Sequence, residues 1–459
     1  MMDERAAIAA NRFGLGARPW ETGSIGDDAI EWLLQQIPGP TRSYPALANL
    51  GSSAQTLTEV TGIRTMQREA RRKASGRDAE DQAKDYGRTV RQHYTKQALA
   101  RYQVATTTDY PFHERLVHFW SNHFAVSVEK QPLPAIAALY ENEVIRPNIS
   151  GKFVDLLIAV EQHPAMITYL DNQRSIGPAS NAGMRRKRRQ AGAGLNENLA
   201  REILELHTLG VNGGFTQSDV TTFAKVITGW SVGNNGNRSG KFEFRNAAHE
   251  PGAKTLLGKT YRQSGVNQGI AVLKDLAASE TTARFISTKL ARHFVADEPP
   301  AELIDKLVNS YVVNDGDLGE AYETLVLAEE SWDPVSRKYK SPSEYLISAM
   351  RALDHVPDNR GRLFRSLEFL GQAPFRPESP AGWPDTAEEW GGSDALMKRI
   401  TWANSAGNLM QGKVNPASLG DDVLGPAFAK SEARKAIRRA ESASQGLTML
   451  LASPEFQRR

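Results

Sequence analysis

Residues 195–230, LNENLAREILELHTLGVNGGFTQSDVTTFAKVITGW, decide the fold class. The spacing predicts two helices joined by a short glycine turn. From 196 to 209 the apolar residues Leu199, Ile203, Leu206 and Leu209 recur at steps of three and four, which marks one face of an α-helix. Asn196 is placed to cap it with its side-chain oxygen, and Glu197 follows where the helix dipole favours an anion. Gly210 and the pair Gly213-Gly214 stop the helix, because glycine enters left-handed backbone without steric cost. Thr216 with Asp219 three residues on resembles a shortened capping box. Val220, Phe223, Ala224 and Ile227 then give the second helix its apolar face.

The first of these helices carries more ionisable groups than a core helix needs. Glu197, Arg201 and Glu205 fall at i, i+4 and i+8 and form one row of alternating charge, with Glu202 beside it. His207 lies four residues after Ile203 and so points to the buried side. A histidine at a core edge with carboxylates and an arginine nearby is a candidate acid/base or ligand set. The same spacing also describes a solvated ion-pair face with one hydrogen-bonded core histidine.

Outward from this stretch the pattern stays helical. A chain of 459 residues with 40% hydrophobic and 24% charged side chains has the composition of a globular protein. The net charge of +3 argues against nucleic acid as a partner. Its distribution is uneven: residues 64–101 hold eleven Lys/Arg against five Asp/Glu, and Arg185, Arg186, Lys187, Arg188 and Arg189 run consecutively. With no cysteine, disulfides, thiol catalysis and cysteine metal sites are excluded. No run of eighteen apolar residues is present, so no membrane-spanning helix is expected. The opening MMDERAAIAANRFGLG has acids early and too short an apolar run for a signal peptide, so the chain as encoded is expected in the cytoplasm.

Residues 12–16, RFGLG, predict a tight turn packed by its aromatic ring; the glycine spacing does not follow a strand and is no dinucleotide fingerprint. Residues 56–105 predict a long, basic, exposed helical segment, broken near Ser75-Gly76. Residues 109–127, DYPFHERLVHFWSNHFAVS, predict a helix with the apolar stripe Leu116, Phe119, Trp120 and Phe124. That helix holds His113, His118 and His123, and Glu114, His118 and Asn122 share one face. An E-x-x-x-H pair can ligate a metal, though zinc helices pair H-E-x-x-H, which this is not. Residues 172–194 have few large apolar side chains and read as a mobile basic loop beside the candidate site. Phe242 and Phe244 alternate with polar residues among turn formers, so a small β-hairpin or two short strands is expected near 240–260, with His249 on that excursion. Asp315-Gly316-Asp317 reads as a turn and helix cap, since the glutamate of a calcium loop is missing. The four prolines, Trp383 and Trp390 of 371–393 predict a rigid irregular loop that plugs a groove or stacks on a ligand. The expected fold is mainly α, a large multi-helix bundle forming one domain over 1–459.

Several segments together resemble a large bacterial family known as domain of unknown function 1800 (DUF1800). They are RFGLGARP at 12–19, HFWSNHF at 118–124, SIGPASNAG at 175–183 and LNENLAREILELHTLGV at 195–211. GGFTQSDV at 213–220, ITGW at 227–230, HEPGAKTLLG at 249–258, KLARHFV at 289–295, GQAP and GWP complete the set. Ser121 departs from the histidine of many members, which weakens a metal role for that stretch here. The resemblance implies a mostly helical protein and no established activity. It also implies association with an exported, sulfatase-like family whose members carry a twin-arginine signal, and hence co-export of this chain to the periplasm as a folded partner.

Two functional readings follow. In the first, an enzyme site forms where the 118–124 helix, the 197–207 helix and the His249 loop converge. His123, His207 and His249 then serve as ligands or acid/base groups, Glu202 or Glu205 as carboxylate partner, and Arg201 binds an anion. Glu197, Arg201, Glu202 and His207 are the catalytic candidates; His123, Asn122, Glu205, His249 and Arg185, Arg186, Lys187, Arg188 and Arg189 are the binding candidates. A cofactor for such a site is an iron, manganese, zinc or other divalent centre with His/Glu ligands, or none if the His/Glu pair works by acid/base chemistry alone. In the second reading the chain is a non-catalytic helical scaffold that meets its partner through the basic segments.

Overall fold

The fold is built around the helix Pro111–His123. Proline at its first turn removes an N–H that has no intrahelical partner. Phe112, Leu116, Val117, Phe119 and Trp120 are all buried, and so are His113, Glu114, Arg115 and His123, so the helix lies in the middle of the core with polar as well as apolar side chains enclosed. The Trp120 indole donates to the Tyr322 hydroxyl at 2.5 Å, which donates on to the Ile149 carbonyl at 2.7 Å.

The structure, a computed structural model, describes residues 4–73, 77–188, 194–234, 236–335, 337–410 and 412–459. It is mainly α-helical, as the spacing predicts. One continuous hydrophobic cluster runs from Ala6 to Phe456. The Phe13 ring packs on Phe112, Phe294 and Trp332 at 5.8, 5.9 and 5.3 Å, so the first turn of the chain is bound into its centre. The basic segment forms two helices, Ser53–Lys73 and Arg77–Thr107, packed on each other; the expected break at Ser75-Gly76 lies outside the described residues. The Asp315-Gly316-Asp317 turn caps Leu318–Leu327, with the Asp317 carboxylate accepting from the Glu320 N–H. Towards the C-terminus Ser393–Leu409 packs along Ala443–Ala452.

Among the described residues the β-strands form two small antiparallel pairs. Trp230–Val232 pairs with Phe242–Phe244, with Trp230 opposite Phe244, and Lys254–Leu256 pairs with Lys259–Tyr261. Both lie on the expected excursion. The 172–194 segment differs from its loop reading: Asn181–Arg188 is an α-helix, because the Ser180 hydroxyl accepts the Gly183 N–H and starts it. Arg189 lies outside the described residues.

Buried arginines fasten the polar backbone of the first turn. Arg12 donates to the carbonyls of Ser331, Asp333 and Val335, and Arg115 to that of Gly14. Arg351 donates to the Gly16 carbonyl at 2.6 Å and to both oxygens of Glu21 at 2.8 and 2.9 Å. Gly16 has φ +98°, and a Cβ there would lie 2.4 Å from the Ser348 hydroxyl, so the RFGLG turn needs glycine. Arg351→Met strands Glu21 as a buried, unpaired carboxylate. A loss of about 3–5 kcal/mol is expected, read as a lowered urea midpoint with an unchanged slope.

Candidate functional site

The first histidine cluster lies where the spacing of 195–211 places it. The helix begins at Asn198–Glu202 and widens into a π-helical turn over Ile203–Thr208, where the Thr208 hydroxyl bonds the Ile203 carbonyl five residues back. That turn directs His207 inwards, and its Nδ1–H donates to the Glu161 carboxylate at 2.7 Å. Both groups are sealed, at 1% and 0% exposure. His123 adjoins, with ring centroids 6.2 Å apart and its Nε2–H donating to the His207 carbonyl. The 118–124 and 197–207 segments therefore do meet. His249 is held elsewhere, on the Thr228 carbonyl and against the Phe244 ring.

Of the other sequence candidates, Glu197, Arg201 and Asn122 have structural partners. Glu197 accepts from Thr221 at 2.7 Å and Gln217 at 2.9 Å, and pairs loosely with Arg201, so this group ties Asn198–Glu202 to Gln217–Val226. Glu202 and Glu205 are half-buried, and burial followed by the neighbouring Glu205 charge raises the Glu202 carboxyl, against the pull of His207. Asn122 spends its amide on the backbone of Trp383, accepting at 2.7 Å and donating at 2.9 Å. Arg185, Arg186, Lys187 and Arg188 are exposed on their helix. A Ser53–His163–Glu143 group is close enough to suggest a nucleophile triad, with Ser53 Oγ 3.3 Å and Glu143 3.0 Å from His163 Nε2. The His163 Nδ1 accepts the Ala165 N–H, however, so Nε2 carries the proton and cannot act as base.

The expectation of a metal centre is overturned. Among the described residues no three His, Asp or Glu side chains gather as a ligand set. The physical reason is that the candidate ligands are held apart or engaged elsewhere. Arg146 grips both oxygens of Glu114, the carboxylate of the E-x-x-x-H pair, one oxygen of Glu161 holds His207, and His249 is fixed on the Thr228 carbonyl.

A second site faces the other side of the Pro111–His123 helix. Here a cavity of about 110 Å³ is lined by His118, Ser121, His293, Asp385, Arg115 and Glu344, among others. Its outer wall is the proline-rich loop, whose Trp383 and Trp390 rings sit 6.1 Å apart, so the aromatics do cover a groove. The loop is fastened twice: by Asn122, against which Gly382 approaches too closely for any Cβ, and by Asp297, which accepts the Ala387 N–H at 2.8 Å and holds Lys338. Tyr94 on the long Arg77–Thr107 helix anchors its start through the Pro374 carbonyl.

Each of the two cavity histidines has a carboxylate. His293 Nδ1 lies 3.6 Å from Asp385, an orienting rather than a strongly hydrogen-bonded distance, and its Nε2 has no partner among the described residues. Burial, with Arg459 and Arg115 nearby, brings this imidazole down to about 4 despite Asp385. His118 is 3.4 Å from Glu114 and is lowered by burial and by Arg101, against the pull of Glu114. Burial alone would raise Glu114; Arg146 and His118 overcome it and hold the carboxylate far below its ordinary range. Both imidazoles are thus neutral near pH 7.

His293, Asp385, Arg115, Glu344 and Glu161 were not singled out from spacing. The first two lie 92 positions apart, and no helical period links them. Their one signal is position: His293 stands in KLARHFV and Asp385 directly follows GWP. Five of the segments that carry the resemblance, RFGLGARP, HFWSNHF, KLARHFV, GQAP and GWP, contribute to the cavity wall, and the family model described as "Protein of unknown function (DUF1800)" matches residues 8–458. The chain belongs to the DUF1800 family. No curated protein and no solved structure matches it. In this DUF1800 protein Ser121 lines the cavity with a hydroxyl.

Stability of this DUF1800 protein is expected to fall on acidification. Between pH 6.5 and about 4 the unfolded chain binds a proton at residue 293 that the folded chain refuses, so stability is full above 6.5 and is lost as pH drops through the window. The contribution is roughly 3 kcal/mol at most. Urea midpoints from pH 7.5 to 4.5 check it: His293→Asn should flatten the slope, and an unchanged slope would show that His293 is not the group that sets it.

Proposed function

We propose that this protein is an enzyme working by histidine–carboxylate acid/base chemistry in the cavity between the Pro111–His123 helix and the Trp383–Trp390 loop. The observation that carries the reading is His293. Asp385 orients its Nδ1–H, which leaves the Nε2 lone pair without a partner in a site where the imidazole is neutral. That is the arrangement a general base needs.

Hydrolysis is the reaction class it fits best. A water held between His293 and His118 gives its proton to one imidazole as its oxygen attacks the substrate. The imidazolium then returns that proton to the leaving group. The low-dielectric walls strengthen each of these interactions, and the tryptophan loop keeps bulk water out. In this reading Glu197, Arg201 and the sealed Glu161–His207 pair hold the helices that support the site. Glu202, Glu205 and His249 take no chemical step.

The test is a panel of 4-nitrophenyl esters of carboxylic, phosphoric and sulfuric acids, assayed with wild type, His293→Asn and His118→Asn. Turnover of at least one ester is expected, with kcat reduced about 10²–10⁴-fold in each variant and KM little changed. Variants as fast as wild type would sink the reading.

One observation favours a second reading: Arg185, Arg186, Lys187 and Arg188 stand exposed and consecutive on Asn181–Arg188. This face suits an acidic protein surface, such as that of an exported sulfatase-like partner with which the folded chain would travel. Such binding should weaken at least tenfold between 50 and 300 mM salt, as exposed charge pairs are screened; salt-independent association would exclude this face.

A further inference from the structure

The acid/base cavity also carries an excess of buried positive charge. Arg115, Lys338, Lys340, Arg399 and Arg459 surround it or stand directly behind its wall, and each is 3% exposed or less. The carboxylates that answer them are Glu344, Asp385 and Asp297. Arg115 and Arg459 share a single oxygen of Glu344, while its other oxygen accepts the Ser341 N–H at 2.8 Å. Lys338 divides its ammonium between Asp297 and the Asp385 carbonyl. Lys340 has only the Ser348 hydroxyl and the face of Phe456.

Buried cations that outnumber their counter-ions are costly, because attraction to a partner must replace lost hydration. The strain is visible in these groups. Burial, then the nearby Arg459, brings the Arg115 guanidinium down to about 9. Burial, with Arg115, Arg459 and Arg399 nearby, brings Lys340 down to about 7 despite Glu344. Donor capacity is also unspent: the Nε–H groups of Arg115 and Arg459 are buried with no acceptor. Ser121, Ser341 and Ser343 add hydroxyl-bearing side chains to the same wall.

On the reading of this cavity as the reaction site, we propose that it binds a small oxyanion, the carboxylate, phosphate or sulfate group of the substrate, against Arg115, Lys338 and Arg459. The cavity, of about 110 Å³, suits one such group. The Nε–H groups of Arg115 and Arg459, which have no acceptor among the described residues, supply charge-assisted donors, and Lys338 adds a point charge. Tyr339, Phe375 and Trp383 then face the uncharged part of the molecule.

The experiment is calorimetric titration of the full chain at pH 7 with sulfate, inorganic phosphate and acetate, each against chloride at equal ionic strength. At least one oxyanion is expected to bind saturably at one site per chain and to raise the melting temperature. Lys338→Met and Arg459→Met should each weaken that binding at least tenfold. His293→Asn should retain it. Absence of saturable binding by all three anions to the wild-type chain overturns the proposal even if a variant fails to fold, and so does binding that both cation variants leave intact. Loss of turnover in His293→Asn without any oxyanion binding sinks this proposal and leaves the acid/base reading standing. Oxyanion binding with turnover indifferent to His293 and His118 does the reverse.

Discussion

The guanidinium groups of Arg12, Arg115, Arg351 and Arg399 are cut off from water, and most of the architecture depends on how they are satisfied. A buried arginine has five donors and no way to shed its charge. Each therefore collects carbonyls and carboxylates from parts of the chain that are remote in sequence: Arg12 from the 331–335 turn, Arg351 from the first turn and Glu21, Arg399 from Lys340 and Gln457. These contacts fix the relative position of helices that apolar packing alone would allow to slide. Charge placed at such depth is poor economy for stability but effective for specificity, and the cavity is built from its remainder.

The two histidine clusters show what burial does to the same side chain. His207 is closed in by Glu161, His123 and the aromatic ring of Phe124, and its geometry serves packing. His293 has a comparable carboxylate at greater distance and a nitrogen left over. The proposed chemistry is placed at the second because His293 lines the cavity, whereas His207 is sealed against Glu161 and aromatic rings.

Much of the scaffold was legible in the sequence. The period of Leu199, Ile203 and Leu209, the Thr216–Asp219 capping box and the inward turn of His207 all follow from local rules, which depend on residues three to five apart. The π-helical turn at Ile203–Thr208 was not legible, because its apolar spacing is that of an α-helix. The helical character of Asn181–Arg188 was missed because its basic composition outweighed the Ser180 cap. The cavity was the least legible feature. Its histidines, arginines and carboxylates answer one another across hundreds of positions, and spacing carries no record of such contacts. Metal ligation was expected from residue type alone; it failed because type does not reveal that Arg146 had already claimed Glu114.

The walls of the cavity come from Leu15, from residues near 101–126, from 293, from 338–344, from 372–390 and from Arg459. A surface gathered from such separations has no local precursor, and its closure entropy is met only when every helix has docked. On the reading of the cavity as the reaction site, the chain gains that site only once its last helices have docked, and a fragment lacking any of these segments lacks part of the wall.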